Sequence, residues 1–195
     1  MKKIVILIIC LAILGLGLYY FYLHAQKEKG EIDNFATWKK FIPQSGLFEV
    51  LLPDQPQYGK DFVNIPNSNE KRRYDMYASE KIDGTLFFVT VITYPPEVDT
   101  SSSNDILLQN IDELIQNKSD NHLTKFLHNI FEQHQALDFS FENHKFHVEG
   151  KALQDDHIVY VLVYITPKGD FDPEEYQHFV NSFKILKPAK EIQKQ

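Results

Sequence analysis

Apolar residues follow two regimes along the chain. From Ile4 to Leu23 (IVILIICLAILGLGLYYFYL) they run for 20 positions without a charge. A helix of that length spans about 30 Å, the thickness of a bilayer's hydrocarbon core. Residues 24–34 (HAQKEKGEIDN) are polar and form a tether. Beyond them the apolar positions become periodic. Leu47 to Leu52 alternates around Phe48 and Val50 and stops at Pro53, which predicts a strand. Pro53, Pro56 and Pro66 make 54–69 a loop. Strands follow at Arg72–Ser79 and Thr85–Tyr94, joined through Asp83-Gly84, a two-residue hairpin signal. Pro95-Pro96 ends the second, and the polar run TSSSND supplies caps for a helix carrying Leu107, Ile111, Leu114 and Ile115. Leu123, Phe126, Leu127, Ile130 and Phe131 repeat the helical spacing and predict a second helix. Ile158 to Ile165 (IVYVLVYI) is apolar throughout, as suits a central strand covered on both faces. Asp172 then caps a helix with Pro173 at its first position. Earlier, Phe35, Trp38 and Phe41 recur at intervals of three, a short turn that docks on the domain or touches a membrane surface.

Hairpin registers give the first candidate surface. With Asn143-His144 as a two-residue turn, Glu142 faces Lys145, Phe141 faces Phe146, Ser140 faces His147 and Phe139 faces Val148, each pair alike in character. A following turn at Asp155-Asp156 puts Val159, Val161 and Val163 on the apolar face. Tyr160, Leu162 and Tyr164 then share the other face with His147, Glu149 and Lys151. His147, Glu149, Tyr160, Leu162 and Tyr164 are therefore the candidate interaction surface, because aromatic anchors dominate interfaces. The alternative is that a helix covers this face.

Six of the eight histidines lie between His122 and His157. His144 belongs to the turn and His147 to the polar face, about 10 Å apart along a strand, too far to share a zinc ion. On a helix His122 and His128 would stand about 120° apart. His157 follows a turn and His134 has no assigned place. No metal site is expected, and no cofactor. GxSxG, HExxH, P-loop and GxGxxG patterns are absent, so the chain reads as non-enzymatic. The triplet at Asn117 fits the glycosylation pattern.

Charge narrows the partners. Four of the 20 Lys and Arg and one of the 27 Asp and Glu lie in the first 30 residues, leaving 16 against 26, a balance of −10. Such a domain is a poor nucleic-acid binder. Its densest basic run, Lys71-Arg72-Arg73, reads as a solvated strand end. The single cysteine, Cys10, falls in the apolar run, which excludes thiol catalysis, cysteine metal sites and disulfides from the domain. Cys10 follows Ile8 and Ile9 rather than small residues, and Leu23 stands where a cleavage site before Ala25 would want one. The run reads as an uncleaved anchor. Lys2 and Lys3 flush against it favour a cytoplasmic N-terminus. Boundaries follow: a tail at 1–3, a transmembrane anchor at 4–23, a tether at 24–34, one domain at 35–188 and a polar tail at 189–195.

Two segments carry a family resemblance. WKKFIPQSGLFEVLLPDQP (Trp38 to Pro56) resembles the opening strand of PsbP-like domains, where an aromatic-glycine-Phe-x-Val-x-x-Pro pattern is common. Gly150 to Leu186 resembles their closing hairpin, with a Tyr-containing apolar strand, a proline, a short helix and a terminal NSF. The middle of the chain matches in element order. The resemblance implies an α+β fold, an antiparallel sheet flanked by helices in an α/β/α sandwich. The family is mostly non-enzymatic and includes an extrinsic photosystem subunit, a Ran-binding nuclear import factor and bacterial envelope proteins. It brings no catalytic residues to carry over. The expectation is a single-pass inner-membrane protein whose extracytoplasmic domain binds another envelope protein. An envelope hydrolase using Asp/Glu and His, or a carrier of a small ligand or lipid, is the alternative.

Overall fold

A computed structural model describes residues 35–66, 68–116 and 120–186. The predicted anchor (4–23), the tether (24–34), the Asn117 triplet and the tail (189–195) lie outside the described residues. Among the described residues no helix is long and apolar enough to cross a membrane. The chain divides into units Met1–Thr37 and Trp38–Gln195, and the fold below is that of the second.

Its elements run β1 (Lys39–Phe41), β2 (Phe48–Leu52), β3 (Gln57–Asn64), β4 (Lys71–Glu80), β5 (Leu86–Thr93), α1 (Ser103–Gln116), β6 (His122–Phe131), β7 (His134–Glu142), β8 (Phe146–Asp155), β9 (Ile158–Pro167), α2 (Pro173–Ser182) and β10 (Lys184–Ile185). Seven strands form an antiparallel sheet in the order β3-β4-β5-β9-β8-β7-β6, and β1-β2-β10 form a small second sheet. The apolar run at Ile158 thus lies at the centre of the large sheet, as its sequence predicts. Alternate residues of β9 face opposite layers. Val159, Val161 and Val163 join Ile92, Leu137 and Phe139 against Ile106, Leu107 and Ile111 of α1. Tyr160 and Tyr164 face the other way. Tyr160 meets Phe48 (6.4 Å between ring centres) and Phe183 (5.5 Å), and Tyr164 meets Tyr176 of α2 (6.0 Å). The sheet therefore lies between helix layers, an α+β fold. Trp38 docks on it, 5.0 Å from the Phe87 ring.

The start of α2 follows its sequence. Asp172 is extended (φ −107°, ψ 107°), and its carboxylate accepts from the backbone N–H of Glu174 (2.9 Å) and Glu175 (3.2 Å), which would otherwise lack partners. Three other expectations are corrected. The helix expected over 123–131 is strand β6, paired along its length with β7. Glu132 (φ 46°) and Gln133 (φ 73°) turn the chain between them, both left-handed as a tight hairpin requires, without the Asn-Gly signature that usually announces one. Phe126 and Ile130 lie on one face and Leu127 and Phe131 on the other, and an irregularity between Leu123 and Lys125 shifts the parity of Leu123, so the apolar spacing mimics a helix. The loop expected over 54–69 contains strand β3, bracketed rather than broken by Pro56 and Pro66. The β4–β5 loop has three residues, Ile82 to Gly84, between Lys81 and Thr85. Lys81 carbonyl accepts from Gly84 N–H (3.0 Å), and Gly84 takes φ +87°.

Both later hairpins keep their faces and change their partners. Phe141 pairs with Val148 and Ser140 with Glu149, because the turn is a longer loop in which the Asn143 side chain accepts from the N–H groups of Lys145 and Phe146 (2.9 Å each). Asp155 pairs with Ile158, so the next turn is Asp156-His157, with Asp156 at φ 55°. Each register is two residues from the expected one. An even shift leaves every side chain on its predicted face.

Gly150 pairs directly with Phe139, and a Cβ there would lie 2.2 Å from that ring. Gly150→Ala is expected to destabilise the domain by about 1–3 kcal/mol. Combining it with Phe139→Ala should cost clearly less than the sum of the two, by at least about 0.5 kcal/mol, in a denaturant-unfolding double-mutant cycle.

Candidate functional site

The Tyr-rich face is assembled as its parity predicts, and it is covered. Glu149 pairs with Tyr164 and Lys151 with Leu162. Tyr160 is 1% exposed, and Leu162 and Tyr164 are 0% exposed. The Tyr164 hydroxyl donates to Glu175 Oε2 of α2 (2.8 Å), and Lys81 Nζ donates to Glu175 Oε1 (2.6 Å). These contacts tie α2 to β9 and to the β4–β5 loop. The three residues are buried, Tyr164 against α2 and Tyr160 against Phe48 and Phe183, and form no exposed surface. His147 and Glu149 lie further along the same face. Glu149 accepts from Lys125 Nζ (3.1 Å), His147 Nε2 stands 3.5 Å from Glu149 Oε2, and its ring lies 4.6 Å from that of Phe171. Beside them Lys151 pairs with Asp138, which also accepts from Asn129 Nδ2 (2.6 Å). Burial, then the carboxylates of Glu149 and Asp138, raise the Tyr176 phenol above its usual range.

The histidines separate. His122 and His128 are exposed on β6, not on a helix. His134 Nδ1 stands 3.8 Å from Asp155, His144 Nδ1 lies 2.7 Å from Asp120 Oδ2, and His157 Nδ1 lies 3.2 Å from the Thr100 hydroxyl. Among the described residues no three His, Cys, Asp or Glu side chains gather as a metal site would require.

Arg72 corrects the reading of Lys71–Arg73 as a solvated strand end. Its side chain is 0% exposed. It donates to the Tyr94 hydroxyl (2.7 Å) and Asn110 Oδ1 (3.0 Å), and it pairs with Glu113 of α1. The signal was its parity, since Arg72 shares a face with Tyr74 and Met76. Beside this cluster an apolar groove of about 520 Å³ is lined by Val63, Tyr74, Met76, Ile92, Leu114 and Val163, among others. Asn110 and Glu113 also line it, and both already hold Arg72.

What stays open lies at the sheet's two edges, β3 and β6. On β6, Ile130 is 70% exposed, Leu127 55% and Leu123 51%. Lys125 is the one Lys or Arg among its ten residues, and it has no carboxylate. At β3 the exposed Lys60 and Asp61 charge the edge, and a cleft of about 530 Å³ opens beside it, where Tyr58, Arg73 and Asp75 meet.

Burial pushes the Tyr74 phenol up to about 12, and burial with the charge of Asp155 pushes Tyr160 up to about 12. The fold thus favours both neutral phenols. Stability is expected to be complete below pH ~10, where an unfolded tyrosine begins to ionise, and to fall as pH rises towards ~12. Denaturant unfolding between about pH 9 and about pH 11 measures the fall, and Tyr160→Phe should make it shallower.

No protein-family model and no curated protein matches the sequence. Solved structures do. The fold is similar to that of the cyanobacterial PsbP protein (CyanoP) of Synechocystis, at 11% identity over 77% of this chain and 94% of that one, with a TM-score of 0.50. A Pseudomonas aeruginosa protein of unknown function is similar at 10% identity over 79% of this chain and 100% of that one, with a TM-score of 0.45. At such identity the likeness is one of fold. The described part of the chain thus has a PsbP-like fold, an antiparallel sheet between helix layers.

Proposed function

We propose that this chain is a membrane-anchored, non-catalytic interaction module. Residues 4–23 hold it in the inner membrane, the domain lies on the outer side, and another envelope protein adds an extended strand at β6. The observation that carries this reading is the character of that edge. A strand at a sheet edge offers a row of unpaired N–H and C=O groups, and proteins usually guard such edges with charge, proline or short length. β3 has its charges and flanking prolines. β6 runs for ten residues, and its one lysine is engaged by Glu149. Open backbone groups call for an extended chain, which adds by main-chain hydrogen bonds and is selected by alternate side chains. Leu127 on one face, with Leu123 and Ile130 on the other, calls for apolar residues on both sides of that strand. A second copy is disfavoured, because each domain has a balance of −10 and two copies edge to edge repel.

The test places a photo-crosslinking residue at His128 in the full-length chain in its membrane, with Ile82, fully exposed on the β4–β5 loop, as the control position. One partner protein should be captured from position 128 and not from 82, through an extended segment of that partner. Leu127→Lys with Ile130→Lys should reduce its yield about tenfold, equivalent to ~1.4 kcal/mol. Equal capture from both positions, insensitivity to the added charges, or capture of a second copy alone would each reject strand addition by another protein.

A further inference from the structure

The cleft at the opposite edge of the sheet has a chemistry that β6 lacks. The Asp75 carboxylate is held at both oxygens, by the Tyr58 hydroxyl (2.7 Å) and by Arg73 Nε (2.7 Å). Arg73 is thereby fixed through its inner nitrogen, while its two terminal nitrogens have no hydrogen-bond partner among the described residues. Lys60 also lines the cleft. Its ammonium stands 5.0 Å from the Phe62 ring and meets no carboxylate among the described residues. Two cations thus face one satisfied carboxylate, a surplus of one positive charge in a domain with a balance of −10. A cleft with low-dielectric walls focuses such a surplus on an approaching anion.

The walls are aromatic. The Tyr77 ring lies 5.3 Å from Tyr58 and 5.4 Å from Phe41, and all three line the cleft. Its volume of about 530 Å³ falls within the range of small-molecule sites.

The geometry points to a binding site for a small monoanionic aromatic carboxylate. The carboxylate takes the open fork of Arg73 beside Lys60, since a planar guanidinium matches a carboxylate in two parallel hydrogen bonds. The ring of the ligand packs against Tyr58, Tyr77 and Phe41, where aromatic pairs prefer offset or edge-to-face contact. A monoanion balances the surplus charge. A dianionic phosphate leaves one negative charge uncompensated next to Asp75.

Fluorine NMR of the full-length chain tests this with 4-fluorophenylacetate as probe and 4-fluorophenylacetamide as its neutral counterpart. The acid is expected to bind at least about tenfold more tightly than the amide, a difference of ~1.4 kcal/mol. Arg73→Gln should remove most of that preference. Lys60→Gln, which breaks no ion pair, should weaken the acid several-fold and leave the amide unchanged, so the test stands even if Arg73→Gln disturbs the fold. Equal binding of acid and amide, no binding of the acid, an acid affinity unmoved by Lys60→Gln, or displacement of the acid by equimolar inorganic phosphate would overturn the assignment.

Discussion

The burial of β9 on both faces is the constraint from which the rest follows. A strand whose only polar side-chain atoms between Ile158 and Ile165 are two tyrosine hydroxyls has no stable place at an edge or beside water. It is covered on one side by α1 and on the other by α2 and the small sheet, and each fully buried apolar side chain contributes roughly 1.5–3 kcal/mol. Of its two neighbours, β8 precedes it across the Asp156-His157 turn and β5 comes from a distant part of the chain. Pairing them places the β3–β4–β5 meander on one flank of the sheet and the β6–β7–β8 meander on the other. Both edges are then set, because the remaining strands among the described residues, β1, β2 and β10, belong to the small sheet.

This constraint explains what the sequence reveals and what it conceals. The central strand β9 announces itself by its apolar run, and the last helix by an Asp cap followed by a Pro. Face assignments at His147, Glu149, Tyr160, Leu162 and Tyr164 survive a wrong register because the error is two residues in each hairpin. What such a pattern leaves open is the identity of the cover. An apolar and aromatic face looks the same whether a helix of the same chain or a partner lies on it, and here α2 supplies the cover. Edges conceal themselves for the opposite reason. β6 and β3 are exposed on both sides, so no strict alternation is imposed on them. In β6 the irregularity near Thr124 and the Glu132-Gln133 turn remove the two remaining local signals. The Arg73–Asp75–Tyr58 cluster is invisible for a third reason: it needs the pairing of β3 with β4, and β3 is the strand its prolines hide.

The polar groups on the α2 side of the sheet complete the picture. Between the aromatic joint at Tyr164 and the outer strand lies a strip of Glu149, Lys151, Asp138 and Ser140. Thr124 and Ser140 share a hydrogen bond of 2.6 Å, and Asn129 and Lys125 reach Asp138 and Glu149. On this side β6 is fastened by polar contacts and backbone hydrogen bonds, with little apolar area shared with the core. Removing one partner from a buried polar pair is costly, so these contacts fix where β6 lies more than they add to global stability.

A strand fastened in that way is separable from the core in energetic terms. Elements with few buried apolar contacts open at lower free energy than the centre of a domain, and binding surfaces are drawn from that end of the range. On its other side β6 sets Phe126 against the core and leaves Ile130 and Leu123 open. The outermost strand is therefore positioned by its inner neighbours while its own apolar side chains contribute little to holding it.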